Sequence, residues 1–109
     1  MSKKVKVVAL LKAKDGMTDA EIRNHWLNVH AKITGGYKNI KGYRVNLPLD
    51  GFSEENKALG YDGTAELWWD SVEDMNEDFA SENGSKASAD ADSWVAECIS
   101  FYSEEFIIL

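Results

Sequence analysis

The sequence predicts an α+β domain: a four-stranded antiparallel sheet with its helices on one face. Three observations point there. Strand-like and helical periods alternate in the order β-α-β-β-α-(α)-β. Residues 18–33 carry an amphipathic helix with its own start signal. The first and third strands are apolar on both faces, which a sheet covered by helices on one side alone does not need. At 109 residues the chain is read as one domain, 1–109. A chain of this size buries somewhat over about 60% of the surface its unfolded form exposes, so it folds alone with a modest margin.

The elements follow in order. Residues 5–12 form a strand with Val5, Val7, Ala9 and Leu11 on one face and Val8 and Leu10 on the other. Lys14-Asp15-Gly16 is a turn. Thr18 followed by Glu21 has the form of a capping box, in which each side chain satisfies a free backbone N–H at the helix start. Ile22, Trp26, Val29 and Ile33 then share a sector of roughly 60° at about 100° per residue, with His25 and His30 on opposite shoulders. Gly35-Gly36 ends the helix through the left-handed conformation open to glycine. A second strand covers 43–47, and Pro48, the only proline, stops it.

Residues 50–61 read as a polar loop, long for so small a domain. The third strand, 64–70, sends Ala65, Leu67 and Trp69 one way and Thr64, Glu66 and Trp68 the other. Ser71 caps a second helix with Asp74 three residues on, and Val72, Met75 and Phe79 are its apolar face. Glu82-Asn83-Gly84 is a break. A further helix over 85–97 packs through Ala87, Ala91, Trp94 and Val95, and a last strand runs over 99–108.

That order divides into two βαβ halves, the ferredoxin-like split βαβ pattern. Helices cover one face of such a sheet. The other bears Val8, Leu10, Trp68 and apolar residues of the last strand, a patch that monomers seldom leave open. A second copy is the expected cover, and two sheets face to face make a dimeric α+β barrel. The alternative is a monomer with an aromatic binding face.

A net charge of −7 argues against nucleic acid, whose binding needs a basic footprint, and disfavours an anionic membrane surface. No stretch approaches the length of a membrane span, and the basic start and short apolar run of the N-terminus read as strand rather than as a secretion signal. Cys98 is the sole cysteine, which excludes an intrachain disulfide and fits a reducing cytoplasm. His25 and His30, five residues apart on different shoulders, do not have the i, i+4 spacing of a helical metal pair. No phosphate-loop, dinucleotide, CxxC, HExxH or G-x-S-x-G motif occurs.

The segments VKVVALLKAKDGMTDAEIRNHWLNVHAKI, IKGYRVN and YDGTAELWWDSVEDM resemble the EthD family of dimeric α+β barrel proteins. The resemblance covers nearly the whole chain from Val5 onward. Its most specific part is Ile22, His25-Trp26 and His30-Ala31, with Asp62-Gly63 and Ala65 to Trp68 in support. His25 stands where the family usually carries Tyr or Phe, which argues against a special role for it. The family takes its name from a protein associated with bacterial degradation of ethyl tert-butyl ether alongside an oxygenase. Similar barrels include lactone isomerases, polyketide cyclases and dehydratases, and cofactor-free monooxygenases. Fold alone does not settle chemistry.

The resemblance implies a fold and a general habit of handling small molecules, and the first functional expectation is an isomerase or lyase with no metal or organic cofactor, moving protons on a small apolar oxygenated ligand such as a lactone or a polyketide-like carbonyl compound. His30 is the general acid or base, because imidazole titrates near neutral pH. Trp26, Tyr37 and Trp69 wall the pocket, and Tyr43 donates to a substrate carbonyl. Glu66 is the second acid–base candidate, with its pKa raised by desolvation. Its competing reading is an ion pair with Arg44 or Lys12. Glu66 falls on the strand face away from the helices and His30 on the helix side, so whether they share one pocket is left open. The alternative function is a non-catalytic carrier or an accessory protein for an oxygenase pathway. Haem held by His30 is disfavoured, since nothing else marks a haem pocket.

Overall fold

Alternation of side chains along the strands fixes which face of the sheet the helices cover. The computed structural model describes residues 4–109, and the basic start of the chain before Lys4 lies outside them. β1 (Val5–Ala13) buries Val5, Val7, Ala9, Leu11 and Ala13. β3 (Gly63–Trp69) buries Ala65, Leu67 and Trp69 in the same sense. The two strands are antiparallel, with Val7 opposite Leu67 and Val8 opposite Glu66. β2 (Gly42–Asn46) joins the free edge of β3, and β4 (Val95–Ser103) that of β1, giving the order β2-β3-β1-β4, antiparallel throughout. Because β3 opposes both β1 and β2, those two run parallel, and their helical crossover passes over a strand inserted between them. This is the ferredoxin-like split βαβ arrangement read from the sequence.

The crossover is one continuous helical run over 19–34, made of α1 (Asp19–His25), a π-helical turn (Trp26–His30) and α2 (Ala31–Thr34). Its start is as read: Glu21 N–H donates to Thr18 Oγ1 (3.1 Å), and Thr18 N–H donates back to Glu21 Oε1 (3.0 Å). Its interior is not. The Ala31 N–H bonds the Trp26 carbonyl, an i→i+5 contact that inserts one residue into the helix. The buried stripe therefore slips by one position. Ile22 and Trp26 are buried, but Val29 is 40% exposed and Thr34 takes a buried place further on.

The end of this helix also differs from expectation. Gly35 has φ −65°, and positive φ occurs at Gly16, Gly51 and Gly60 instead. The last turn tightens: Gly36 N–H bonds Ile33 O and Tyr37 N–H bonds Thr34 O, each at 3.1 Å. Glycine at 36 serves close approach. Asn83 Nδ2 donates to the Gly36 carbonyl at 3.1 Å, and a Cβ on Gly36 would lie 3.1 Å from that nitrogen.

Three further boundaries move. The stretch read as a polar loop contains α3 (Ser53–Ala58), a six-residue helix with no buried residue and hence no apolar period to reveal it. α4 (Val72–Ala80) begins at Ser71 as read, with Asp74 N–H on Ser71 Oγ (3.1 Å). α5 (Glu82–Trp94) begins earlier than read, because Ser81 Oγ accepts the Gly84 N–H and turns the supposed break into a first helical turn. β4 runs earlier too. It is an edge strand paired with β1, which starts at Val5, and the ladder between them ends at Lys6 opposite Ser103.

One core lies between the helices and the sheet, centred on Trp26, Trp69 and Trp94, each no more than 2% exposed. Asp78, 1% exposed, is held in it by Trp69 Nε1–H (2.7 Å) and the Asn39 N–H (3.1 Å). The opposite sheet face carries Val8, Leu10, Trp68, Ile99 and Phe101, the last two 45% and 66% exposed. Among the described residues, no helix is long and apolar enough to cross a membrane.

Candidate functional site

The π-turn decides where the two histidines go. On a regular helix their five-residue spacing would split them, as the sequence reading assumed. The inserted residue instead turns both toward α5, where they meet one carboxylate. His30 Nδ1 lies 2.8 Å from Asp90 Oδ2, and His25 Nε2 lies 2.9 Å from Oδ1 and 3.1 Å from Oδ2. Trp94 Nε1–H donates to the same Oδ2 at 3.2 Å. The Trp94 ring stands beside both imidazoles, with centroids 5.5 Å from His25 and 5.7 Å from His30. Burial alone would push the Asp90 carboxyl up, but hydrogen bonds from His30 and His25, helped by imidazole charge, carry it below the ordinary carboxylate value.

His30 lines a cavity of about 390 Å³ between the helices and the sheet. Since the carboxylate accepts at Nδ1, the neutral ring carries its proton there, and Nε2 presents a lone pair. Trp26, Leu67 and Ala87 form apolar wall, and Tyr37, Tyr43 and Thr34 bring hydroxyls to the same space. Burial pushes the Tyr37 phenol up, reinforced by the Asp78 charge. Burial also raises Tyr43, against hydrogen bonds from Trp26 and Thr34 that pull it down. Both phenols are thus held as donors through the neutral range. An apolar pocket with a few convergent polar groups is the ordinary form of a small-molecule site.

The structure therefore brings His30, Trp26, Tyr37 and Tyr43 together and leaves out two expected residues. Trp69 is 1% exposed, packs on Phe79 (5.3 Å between centroids), and does not line this cavity. Glu66 faces the other side of the sheet. It lies 2.9 Å from Lys6 Nζ and accepts from Asn46 Nδ2 at 2.9 Å. Its pKa is lowered, by the bond from Lys6 first and then that from Asn46, where a raised value was expected. The ion-pair reading holds, with Lys6 as the close partner in place of Lys12 or Arg44. Beta-strand alternation explains the separation, because a residue next to Ala65 and Leu67 must point away from the helices.

Asp90 and His25 were missed. Asp90 did leave a signal: at 87, 90, 91 and 94 it sits within the stripe of Ala87, Ala91 and Trp94, a carboxylate on a face that packs. His25 left none, because its position depends on the π-turn. A second cavity, of about 420 Å³, lies between α1 and residues 47–62. Its Asp62 is already engaged by the Ala13 N–H (2.7 Å), and its Tyr61 hydroxyl donates to Glu97 Oε1 (3.4 Å).

Residues 14–97 match the model of the EthD domain. No curated protein matches the chain. Among solved structures it is similar to an ethyl tert-butyl ether d (EthD) family protein from Bacillus halodurans, with 19% identity, TM-score 0.78, and 94% of this chain and 99% of that one covered. A dimeric ferredoxin-like protein of unknown function from Thermobifida fusca gives 14% identity, TM-score 0.75 and coverage of 96% and 93%. The hydroxynitrile lyase of Passiflora edulis gives 14% identity, TM-score 0.74 and coverage of 98% and 100%. At these identities the likeness is one of fold.

Proposed function

We propose, for a chain that belongs to the EthD family, that the cavity beside His30 moves a proton on a small, apolar, oxygenated molecule, in an isomerisation or an elimination. The observation that carries this reading is an imidazole oriented by a carboxylate on an apolar cavity, 2.8 Å from Asp90 Oδ2. His30 Nε2 takes a proton from a carbon next to a carbonyl or lactone group. Asp90 holds the tautomer and stabilises the imidazolium that results. Tyr37 and Tyr43, kept protonated by burial, donate to the oxygen on which negative charge develops. The imidazolium returns the proton at another position or to a leaving group. A lyase among the proteins of similar fold is consistent with this class of chemistry.

The active form in this reading is a homodimer with the open sheet faces together. It is supported by the apolar residues exposed there and by a dimeric protein of similar fold. The carrier reading shares every wall of the cavity and differs in needing no base.

The test begins with lactones, phenols and polyketide-like carbonyl compounds screened for thermal stabilisation, and each hit is assayed for turnover. His30→Gln is expected to keep binding within a few-fold and to lower turnover by about 10²-fold or more. Turnover unchanged in His30→Gln removes His30 from the mechanism. Compounds that bind tightly and are never converted favour the carrier.

A further inference from the structure

We infer that the cavity beside His30 takes an uncharged molecule whose apolar part lies across the strands, and that Ala9, Ala87 and Ala91 set the size of that part. This rests on the reading of the cavity as the substrate site, and goes beyond it by naming the charge of the substrate and the residues that select it.

The charge follows from what lines the cavity and what stands behind it. The chain is 28% charged, yet among the described residues lining the cavity none is Asp, Glu, Lys or Arg. The cavity of about 420 Å³, by contrast, is lined by Asp19, Arg23, Asp50 and Lys57. Behind the wall of the His30 cavity stand two carboxylates: Asp90, 2.8 Å from His30 Nδ1, and Asp78, whose charge reaches the Tyr37 phenol. A ligand carboxylate or phosphate would meet these negative charges with no lysine or arginine to pair with, and an unpaired charge taken out of water is strongly disfavoured. A ligand ammonium gains no contact partner either. The Asp90 oxygens are turned to His25, His30 and Trp94, and those of Asp78 to Trp69 and the Asn39 N–H. What the cavity offers is hydroxyl groups, from Thr34, Tyr37, Tyr43 and Ser88, which suit a carbonyl, an ester or another hydroxyl.

The shape follows from strand register. Ala65 is opposite Ala9, and Ala9 is opposite Ser100, so one row of small side chains crosses β3, β1 and β4. All three line the cavity, as do Ala87 and Ala91 of α5, which lie one turn apart and share a helix face. The next row is bulkier, with Val7 opposite Leu67. Side chains too short to meet thus leave a trough between sheet and helix. Interiors otherwise pack at about the density of organic crystals, and a volume of about 390 Å³ falls in the ordinary range of ligand pockets. Ala9 and Ala87 are buried in this trough, whereas Ser88, Cys98 and Ser100 along it are exposed, so it opens over β4. The apolar part of the ligand lies on Ala9 and against Ala87 and Ala91, with its oxygen at the hydroxyls.

The probes are γ-nonalactone, its ring-opened hydroxy acid and the shorter γ-valerolactone, each titrated calorimetrically at pH 7. The wild-type protein is expected to bind γ-nonalactone about tenfold or more tighter than either of the others, the acid losing through its charge and the short lactone through its missing methylenes. Ala87→Leu and Ala91→Leu extend a side chain into the trough at positions where leucine remains a good helix former. Each is expected to weaken γ-nonalactone by about tenfold or more, to leave γ-valerolactone within a few-fold, and to hold or raise Tm, as filling a void does. Equal affinity for γ-nonalactone and its acid, no binding of γ-nonalactone, or wild-type affinity for it in both variants would overturn the inference. The comparison of lactone with acid in the wild type stands by itself should a variant fold poorly. No turnover is needed. Lactones bound in this way and never converted would sink the proton-transfer reading and leave the selection intact.

Discussion

At the scale of single residues the site turns on Asp90, and its carboxylate can be tested without any ligand. Asp90→Asn keeps the shape and removes the charge. It is expected to cost about 1–3 kcal/mol at pH 7, because three N–H donors lose a charged acceptor. The folded-state pKa of Asp90 is depressed, so its stabilisation is fully present above the ordinary carboxyl value of about 3.9 and is lost as pH falls through the depressed value. Urea unfolding of wild type and variant should therefore show a gap at pH 7 that narrows toward pH 3. A gap of equal width at both would mean that charge is not its source. In the proposed reaction the same change is expected to lower turnover by about 10²-fold or more, through loss of tautomer control and of imidazolium stabilisation. The residues that found this site were legible unequally. His30, Trp26, Tyr37 and Tyr43 came from residue type, helix phase and family resemblance. Asp90 stood in plain view as a carboxylate on an apolar stripe and was passed over. Glu66 looked catalytic because a charge between apolar neighbours suggests burial, yet strand alternation sends it to the opposite face, where Lys6 meets it at 2.9 Å.

At the scale of elements the one-residue insertion in the first helix was illegible, and for a physical reason. A helical wheel assumes about 100° per residue, and a π-turn breaks that assumption without any residue type that announces it. The error travelled: Val29 was placed in the core and is 40% exposed, and the histidines were separated although both reach Asp90. Reading the turn as an insertion leads to a prediction. Deleting Val29 removes the extra residue, leaves Ile22 and Trp26 in place, and sets the two histidines at i, i+4, which share one face of a regular helix. The variant is expected to fold, with helical circular dichroism retained, and Asp90→Asn is expected to cost it as much stability in urea as it costs the wild type. A molten chain, or an Asp90→Asn change that costs the deletion variant nothing, would show that the π-turn is itself required to aim the rings. Caps, by contrast, were legible. The Thr18–Glu21 box and the Ser71 cap depend on local sequence alone, whereas the ends of β4 depend on how far its neighbour extends.

At the scale of the whole molecule the fold was the most legible feature, since period-2 alternation in β1 and β3 and the order of elements leave few topologies for four strands. The same alternation leaves a face without a cover. Val8 lies opposite Phe101, and Leu10 opposite Ile99, on the side away from the helices, with Trp68 held between Lys6 (4.6 Å from the ring centroid) and Arg44 (5.4 Å). If a second copy covers this face, equilibrium sedimentation should report twice the 12.2 kDa of one chain, and a charge at its centre should undo the pair. Phe101→Glu and Val8→Lys each place an unpaired charge where an apolar contact is required, a cost of several kcal/mol against association. Each single variant is expected to sediment as a monomer. The folded subunit should survive, because Phe101 is 66% exposed within it and contributes little to its core. The combined variant is the sharper measurement. Positions 8 and 101 are cross-strand neighbours on one sheet face, so in the combined variant Lys and Glu pair within each subunit, and partial recovery of the dimer would show that an unpaired charge was what held the copies apart. A wild-type protein that sediments as a single chain over the micromolar range would leave the apolar face to some other occupant, and would leave the His30 cavity, on the opposite side of the sheet, as it is.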